Sequence, residues 1–124
     1  MILVTVDGAA FPSRQNFVGY VTAAAPGGSD RLEMTLDGTG FEFRVYVGGA
    51  TFATHPITID RVQHRYWRMR GAGATAMFET SLDRSAWTER WRVDVPFALA
   101  GLELNIGFGH YGVLQGSGED DLPD

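Results

Sequence analysis

Cysteine is absent from the 124 residues. That excludes a disulfide framework, thiol catalysis and cysteine-ligated metals, and it leaves the redox compartment open. Lysine is absent as well, so all ten basic residues are arginine. With Gly and Ala abundant, this reads as a GC-rich coding bias, of a bacterium or its virus, rather than selection for guanidinium chemistry. No apolar run approaches the ~20 residues of a membrane-spanning helix, and no basic segment leads into the apolar stretch of a signal peptide. Positive charge is in deficit: the formal net charge is −5, which argues against nucleic acid as a partner. P-loop, Rossmann glycine and G-x-S-x-G patterns are all missing, and no cofactor is expected. Gly107-Phe108-Gly109 sets two glycines on one face of a strand, where a bulky neighbour or a close backbone needs room.

The remaining composition fits one folded domain. Apolar residues make up 44% and charged residues 20%, and a chain of this length buries roughly two-thirds of its unfolded surface. Alternation with a period of two dominates, and no stretch reads as a long amphipathic helix. In Phe41-Glu42-Phe43-Arg44-Val45-Tyr46-Val47 the odd positions are apolar and share a face. Leu102, Leu104, Ile106 and Phe108 repeat the pattern, as do Trp67 with Met69 and Trp91 with Val93 and Val95. Further strands are expected over Ile2 to Val6, Asn16 to Ala24, Arg31 to Leu36, Ala74 to Thr80 and Trp87 to Val95.

One-sided strands of this kind suit antiparallel sheets with a single face on the core. Turn signals recur roughly every eight to twelve residues, among them Asp37-Gly38, Gly48-Gly49 and Gly71 to Gly73, which points to a sandwich or barrel of eight to ten strands. The expected division is a β-sandwich domain over 1–115 and an acidic, turn-rich, mobile tail over 116–124.

The candidate chemistry is sparse. His55, His64 and His110 show no i,i+2 or i,i+4 spacing, so no metal site is expected; the latter two flank strands and are read as surface residues. A sugar-cleaving sandwich needs two carboxylates on one face of a cleft. The strand carboxylates Glu33, Glu42, Glu79, Glu89 and Glu103 lack the E-x-D-x-E pattern of jelly-roll glucanases, and arginines crowd the same strands. Cross-strand ion pairs are the simpler explanation, and the chain is read as not an enzyme. Arg65, Arg68 and Arg70 beside Tyr66 and Trp67 form a basic-aromatic stripe able to stack on bases or sugar rings, but pairing with the strand containing Glu79 accounts for it. In Ser81-Leu82-Asp83-Arg84-Ser85-Ala86-Trp87-Thr88, Ser81 or Asp83 can bond the turn's own amides while Trp87 covers the hairpin. The spacing is similar to the Asp-box S-x-D-x-G-x-x-W, with Trp one residue early and Ser85 in place of Gly. Both patterns are structural hairpin devices.

His64-Arg65-Tyr66-Trp67-Arg68-Met69-Arg70, then Ala76 to Asp83, then Trp87-Thr88, succeed one another in an order that resembles the "RWWRIR … vyWetSpDG..WT" run of concanavalin A-like lectin/glucanase jelly-roll domains (the LamG-like group). The segment from Pro96-Phe97 through Leu102 to Gly107 and on to Tyr111 is similar to that family's final strand, and Asn16 to Val47 agrees more loosely. The resemblance implies an antiparallel jelly-roll sandwich with Greek-key connections. Its wording resembles that of modules in phage minor tail and other virion surface proteins.

The resemblance thus implies a non-catalytic virion-surface or extracellular module of tail or capsid-decoration type. It would dock on other protein chains, with surface glycan as a further partner and homo-oligomers allowed. The alternative is a free-standing lectin-like carbohydrate-binding module, and the third reading is a polysaccharide-cleaving enzyme. Tyr46, Tyr66 and Tyr111 are the candidate ligand-binding residues. The calcium and sugar ligands of legume-type lectins have no matching motif. Family members are usually longer at the N-terminus, so the sandwich is expected to be smaller or completed by another chain, and an open edge favours strand addition.

Overall fold

The computed structural model describes residues 1–8, 17–37 and 40–110. Nine strands are present among them: β1 (Ile2–Asp7), β2 (Phe17–Ala24), β3 (Arg31–Asp37), β4 (Phe41–Val47), β5 (Ala50–Ile57), β6 (Tyr66–Ala72), β7 (Thr75–Ser81), β8 (Thr88–Asp94) and β9 (Glu103–His110). They form two antiparallel sheets, a four-stranded one in the order β1-β6-β7-β8 and a five-stranded one in the order β5-β4-β3-β2-β9. The chain starts in the smaller sheet, crosses to lay down β2 to β5, crosses back for β6 to β8, and returns with β9 beside β2. The Tyr111 position and the tail over 116–124 lie outside the described residues.

The period-two pattern explains why the two sheets face each other. Phe41, Phe43 and Val45 of β4 are buried, as are Leu32, Met34 and Leu36 of β3 and Trp67 and Met69 of β6. Rings bridge the two layers: Phe41 lies 4.5 Å from Trp67 and Phe43 lies 5.1 Å from Phe78, centroid to centroid. Trp91 stacks on Phe78 at 5.2 Å and on His55 at 5.6 Å. Trp67 keeps its indole N–H satisfied by donating to the His64 carbonyl at 2.7 Å, as a buried polar group must. Truncating Trp67, Phe43 or Phe78 to Ala would cost roughly 3–5 kcal/mol each.

Several expectations change. β5 has no counterpart among the strands read from the sequence. It is an edge strand in which Phe52 and Ile57 stand among small and polar residues without a two-residue period, and it tolerates Pro56 because an edge has no second ladder to feed; Gly48 and Gly49, both at positive φ, make the two-residue hairpin that launches it. His64 is buried rather than exposed: its Nδ1 accepts the Asp60 amide at 3.1 Å, which folds the loop back under Trp67. Of the apolar row expected there, Leu102 packs against the core, but Leu104 and Ile106 of β9 are 52% and 48% exposed. The described residues leave about half of each of these two side chains uncovered.

Candidate functional site

Each sheet presents an outer face, and arginine, glutamate and aromatic residues occupy both. On the four-stranded sheet, Arg68 and Glu79 stand directly opposite across β6 and β7. Arg68 Nε donates to Glu79 Oε1 at 2.8 Å, and Arg70 donates to both carboxylate oxygens at 3.1 and 3.2 Å. The Glu79 side chain is only 6% exposed. Burial alone would push its carboxyl up, but the hydrogen bonds and charges of Arg70 and Arg68 hold it below the ordinary glutamate range. Arg68 also lies 4.1 Å over the Trp87 ring, so that ring meets a side chain of β6. Arg65 pairs with Asp7 at 3.2 Å and, with Arg84, flanks the Tyr66 ring at 4.9 and 5.5 Å. Trp67 of the supposed stripe points into the core. This face is closed by its own guanidinium groups.

The turn after β7 is knitted by both residues singled out for it. Ser81 Oγ accepts the amides of Asp83 and Arg84 at 3.2 and 2.9 Å. Asp83 Oδ1 accepts those of Ser85 and Ala86 at 2.9 and 3.0 Å. Those amide bonds hold the Asp83 carboxyl below its usual range. Arg84 sits at φ 69° within this loop, a left-handed conformation that costs a non-glycine residue some strain.

The five-stranded sheet is arranged differently. Its outer face carries Tyr20 and Thr22 of β2, Arg31, Glu33 and Thr35 of β3, Glu42, Arg44 and Tyr46 of β4, and Asn105 and Gly107 of β9. Tyr20 is paired with Gly107, and any side chain at that position would overlap the Tyr20 ring. The glycine thus supplies the room that the Tyr20 ring occupies. At the other end Arg31 lies 3.8 Å over the Tyr46 ring and donates to the Gly28 carbonyl at 3.0 Å. Between them Glu33 accepts Thr35 Oγ1 at 2.9 Å and sits 3.6 and 3.7 Å from Arg31 and Arg44. Arg44 also pairs with Glu42 and donates to Tyr46 Oη; burial pulls its guanidinium down, and these two bonds outweigh that and raise it. A trough of ≈ 590 Å³ is lined by Tyr20, Thr22, Arg31, Glu33, Glu103 and Asn105. A second depression of ≈ 570 Å³ lies toward β5, against Thr35, Glu42, Arg44 and Pro56.

The three candidate tyrosines are therefore not one site. Tyr46 belongs to the five-stranded face, Tyr66 to the opposite side of the sandwich, and Tyr111 is outside the described residues. Sequence reading missed Tyr20, Thr22 and Asn105. The one available signal was Gly107, whose need for room was noted without its neighbour. Among the described residues no three His, Asp or Glu side chains are grouped to hold a metal. No helix of the described residues is long and apolar enough to cross a membrane. No family model, curated protein or solved structure matches the chain.

Proposed function

We propose that this chain is a non-catalytic adhesion module of a virion-surface or extracellular assembly. Its sandwich is read as concanavalin A-like jelly-roll in type, and it docks on other protein chains. Glycan is bound on the outer face of the five-stranded sheet. The observation that carries this reading is the Tyr20 ring seated over Gly107, at the border of a trough with mixed donors and acceptors. An aromatic ring offers a flat apolar surface for the C–H face of a pyranose. Thr22, Asn105 and Glu33 offer hydroxyl, amide and carboxylate partners for sugar hydroxyls. A shallow concave floor with few polar groups around an aromatic is the ordinary form of a small-ligand site.

The non-catalytic part of the reading rests on where the carboxylates go. Two carboxylates line the trough, Glu33 and Glu103. Glu33 lies against Arg31 and Arg44, which leaves no pair of free carboxylates there. Glu42 pairs with Arg44, and Glu79 is on the other side under Arg68 and Arg70. A glycan array probed with the purified protein, with and without calcium, tests the proposal. Binding that free sugar competes away and that calcium does not alter is the expected result. A blank array from folded protein would refute glycan recognition and leave protein docking alone. Release of reducing ends that Glu33→Gln abolishes would refute the non-catalytic reading.

A further inference from the structure

Among the described residues the two sheets have four edges, β1, β8, β5 and β9. An edge strand exposes unpaired amides and carbonyls, and proteins that stay apart blunt such edges with bulges, charge or proline. Three of the four carry these devices. In β1 an extra residue, Leu3, interrupts the register between Ile2 and Val4. In β5 the extra residue is Phe52, and Pro56 lies further along the strand. In β8 it is Arg90, with Glu89 and Arg92 beside it. β9 alone has neither a bulge nor a proline. Its register against β2 runs unbroken from Glu103 to His110, it contains no Pro or Arg, and Glu103 is its one carboxylate. Leu104 and Ile106 stand opposite the fully buried Ala23 and Val21, yet about half of each is exposed.

We propose that a second copy of this chain adds to β9, the two β9 strands pairing antiparallel about a two-fold axis at Asn105. The two five-stranded sheets then become one continuous sheet of ten. A two-fold interface has to be self-complementary, and this strand is so in that register. Leu104 falls opposite the partner's Ile106, and Ile106 opposite the partner's Leu104, which brings four half-exposed aliphatic side chains to one face. The net charge of −5 opposes self-association, but each Glu103 falls opposite the partner's Gly107 instead of a second carboxylate. Asn105 meets its own neutral copy. Ladder hydrogen bonds supply the affinity and the aliphatic row fixes the register.

The absence of natural cysteine makes the test direct. In this register the two Asn105 Cα atoms lie about 4.5–5.5 Å apart, inside the disulfide range of about 4.4–6.8 Å. The two Glu103 Cα atoms lie about 14 Å apart, four residues along a strand. Sedimentation equilibrium of the wild-type full chain is expected to give twice the chain mass, and Asn105→Cys a disulfide-linked dimer under mild oxidation. Glu103→Cys and Thr54→Cys, the latter on the β5 edge, are expected to stay unlinked. Leu104→Lys with Ile106→Lys, at positions already half in solvent, is expected to give a folded monomer by circular dichroism. A wild-type monomer throughout the accessible concentration range would overturn the proposal, as would a dimer unaffected by the lysine pair or linked through Thr54→Cys. If the lysine variant fails to fold, the cysteine pattern still decides.

Discussion

The two outer faces of the sandwich use the same residue types and end in opposite conditions. On the four-stranded sheet two guanidinium groups converge on one carboxylate, Glu79, and a third and fourth flank Tyr66. On the five-stranded sheet Arg31 stacks on Tyr46 at one end, and Tyr20 sits over a glycine at the other. The difference lies in what stands opposite each aromatic ring. Across from Tyr66 stands Ser81 of a tightly bonded turn, and across from Tyr20 stands a residue with no side chain. An arginine-aromatic cluster can therefore be closed by its own ion pairs, whereas a missing side chain next to a ring leaves room beside it.

The greatest change bearing on this contrast is expected at Glu79. Glu79→Ala removes the carboxylate that Arg68 and Arg70 share and leaves only the more distant Glu89 as a counter-charge to Arg70. We expect a loss of ~2 kcal/mol, below the 3–5 kcal/mol of a fully buried pair because both arginines reach solvent; urea unfolding checks it. Glu79→Gln reports the same interaction through pH. A carboxyl held below its ordinary value contributes stability that is present above the unfolded value of about 4.3 and is lost as pH falls through the folded one. The wild type should thus lose stability below about pH 4.3 more steeply than the Gln variant. An identical acid limb in the two proteins would show that Glu79 does not hold this face together.

Lesser changes are expected elsewhere. Ser81→Ala removes an acceptor shared by two amides at a buried position and should cost ~1 kcal/mol, read as a shift of the urea midpoint with unchanged slope. Glu33→Gln, on the partly exposed five-stranded face, should cost less than about 1 kcal/mol. If Glu33→Gln proved as damaging as Glu79→Ala, the two faces would be equally structural and the contrast would fail. Gly107→Ala should leave unfolding nearly unchanged while displacing the Tyr20 ring, visible as a change in near-ultraviolet circular dichroism.

Much of the layout was legible because it arises from alternation. β4 reads directly from Phe41, Phe43 and Val45, and β6 from Trp67 and Met69, since a two-residue period with large apolar side chains admits few other structures. The same rule missed β5, where Thr51, Ala53 and Thr54 carry little hydrophobic signal and His55 enters a stack of rings. It also gave β9 the right strand and the wrong surroundings. Alternation says that Leu104 and Ile106 share a face, but whether another sheet lies over that face depends on how far the smaller sheet extends. His64 was misplaced for a related reason: its burial comes from the Asp60 and Trp67 contacts of a loop, which no periodicity encodes. For the site, Tyr46 was found by its strand position, whereas Tyr20 needed the register that sets it beside Gly107.

If the five-stranded face binds glycan and the four-stranded face does not, their two tyrosines must differ in what their loss does to affinity. Titration of one array-selected glycan into the wild type, Tyr20→Ala and Tyr66→Ala by isothermal calorimetry decides between the faces. Tyr20→Ala is expected to weaken binding by at least about tenfold, or ~1.4 kcal/mol, while Tyr66→Ala binds as the wild type does. Loss of binding in Tyr66→Ala with Tyr20→Ala unaffected would contradict this and move the site to the other sheet.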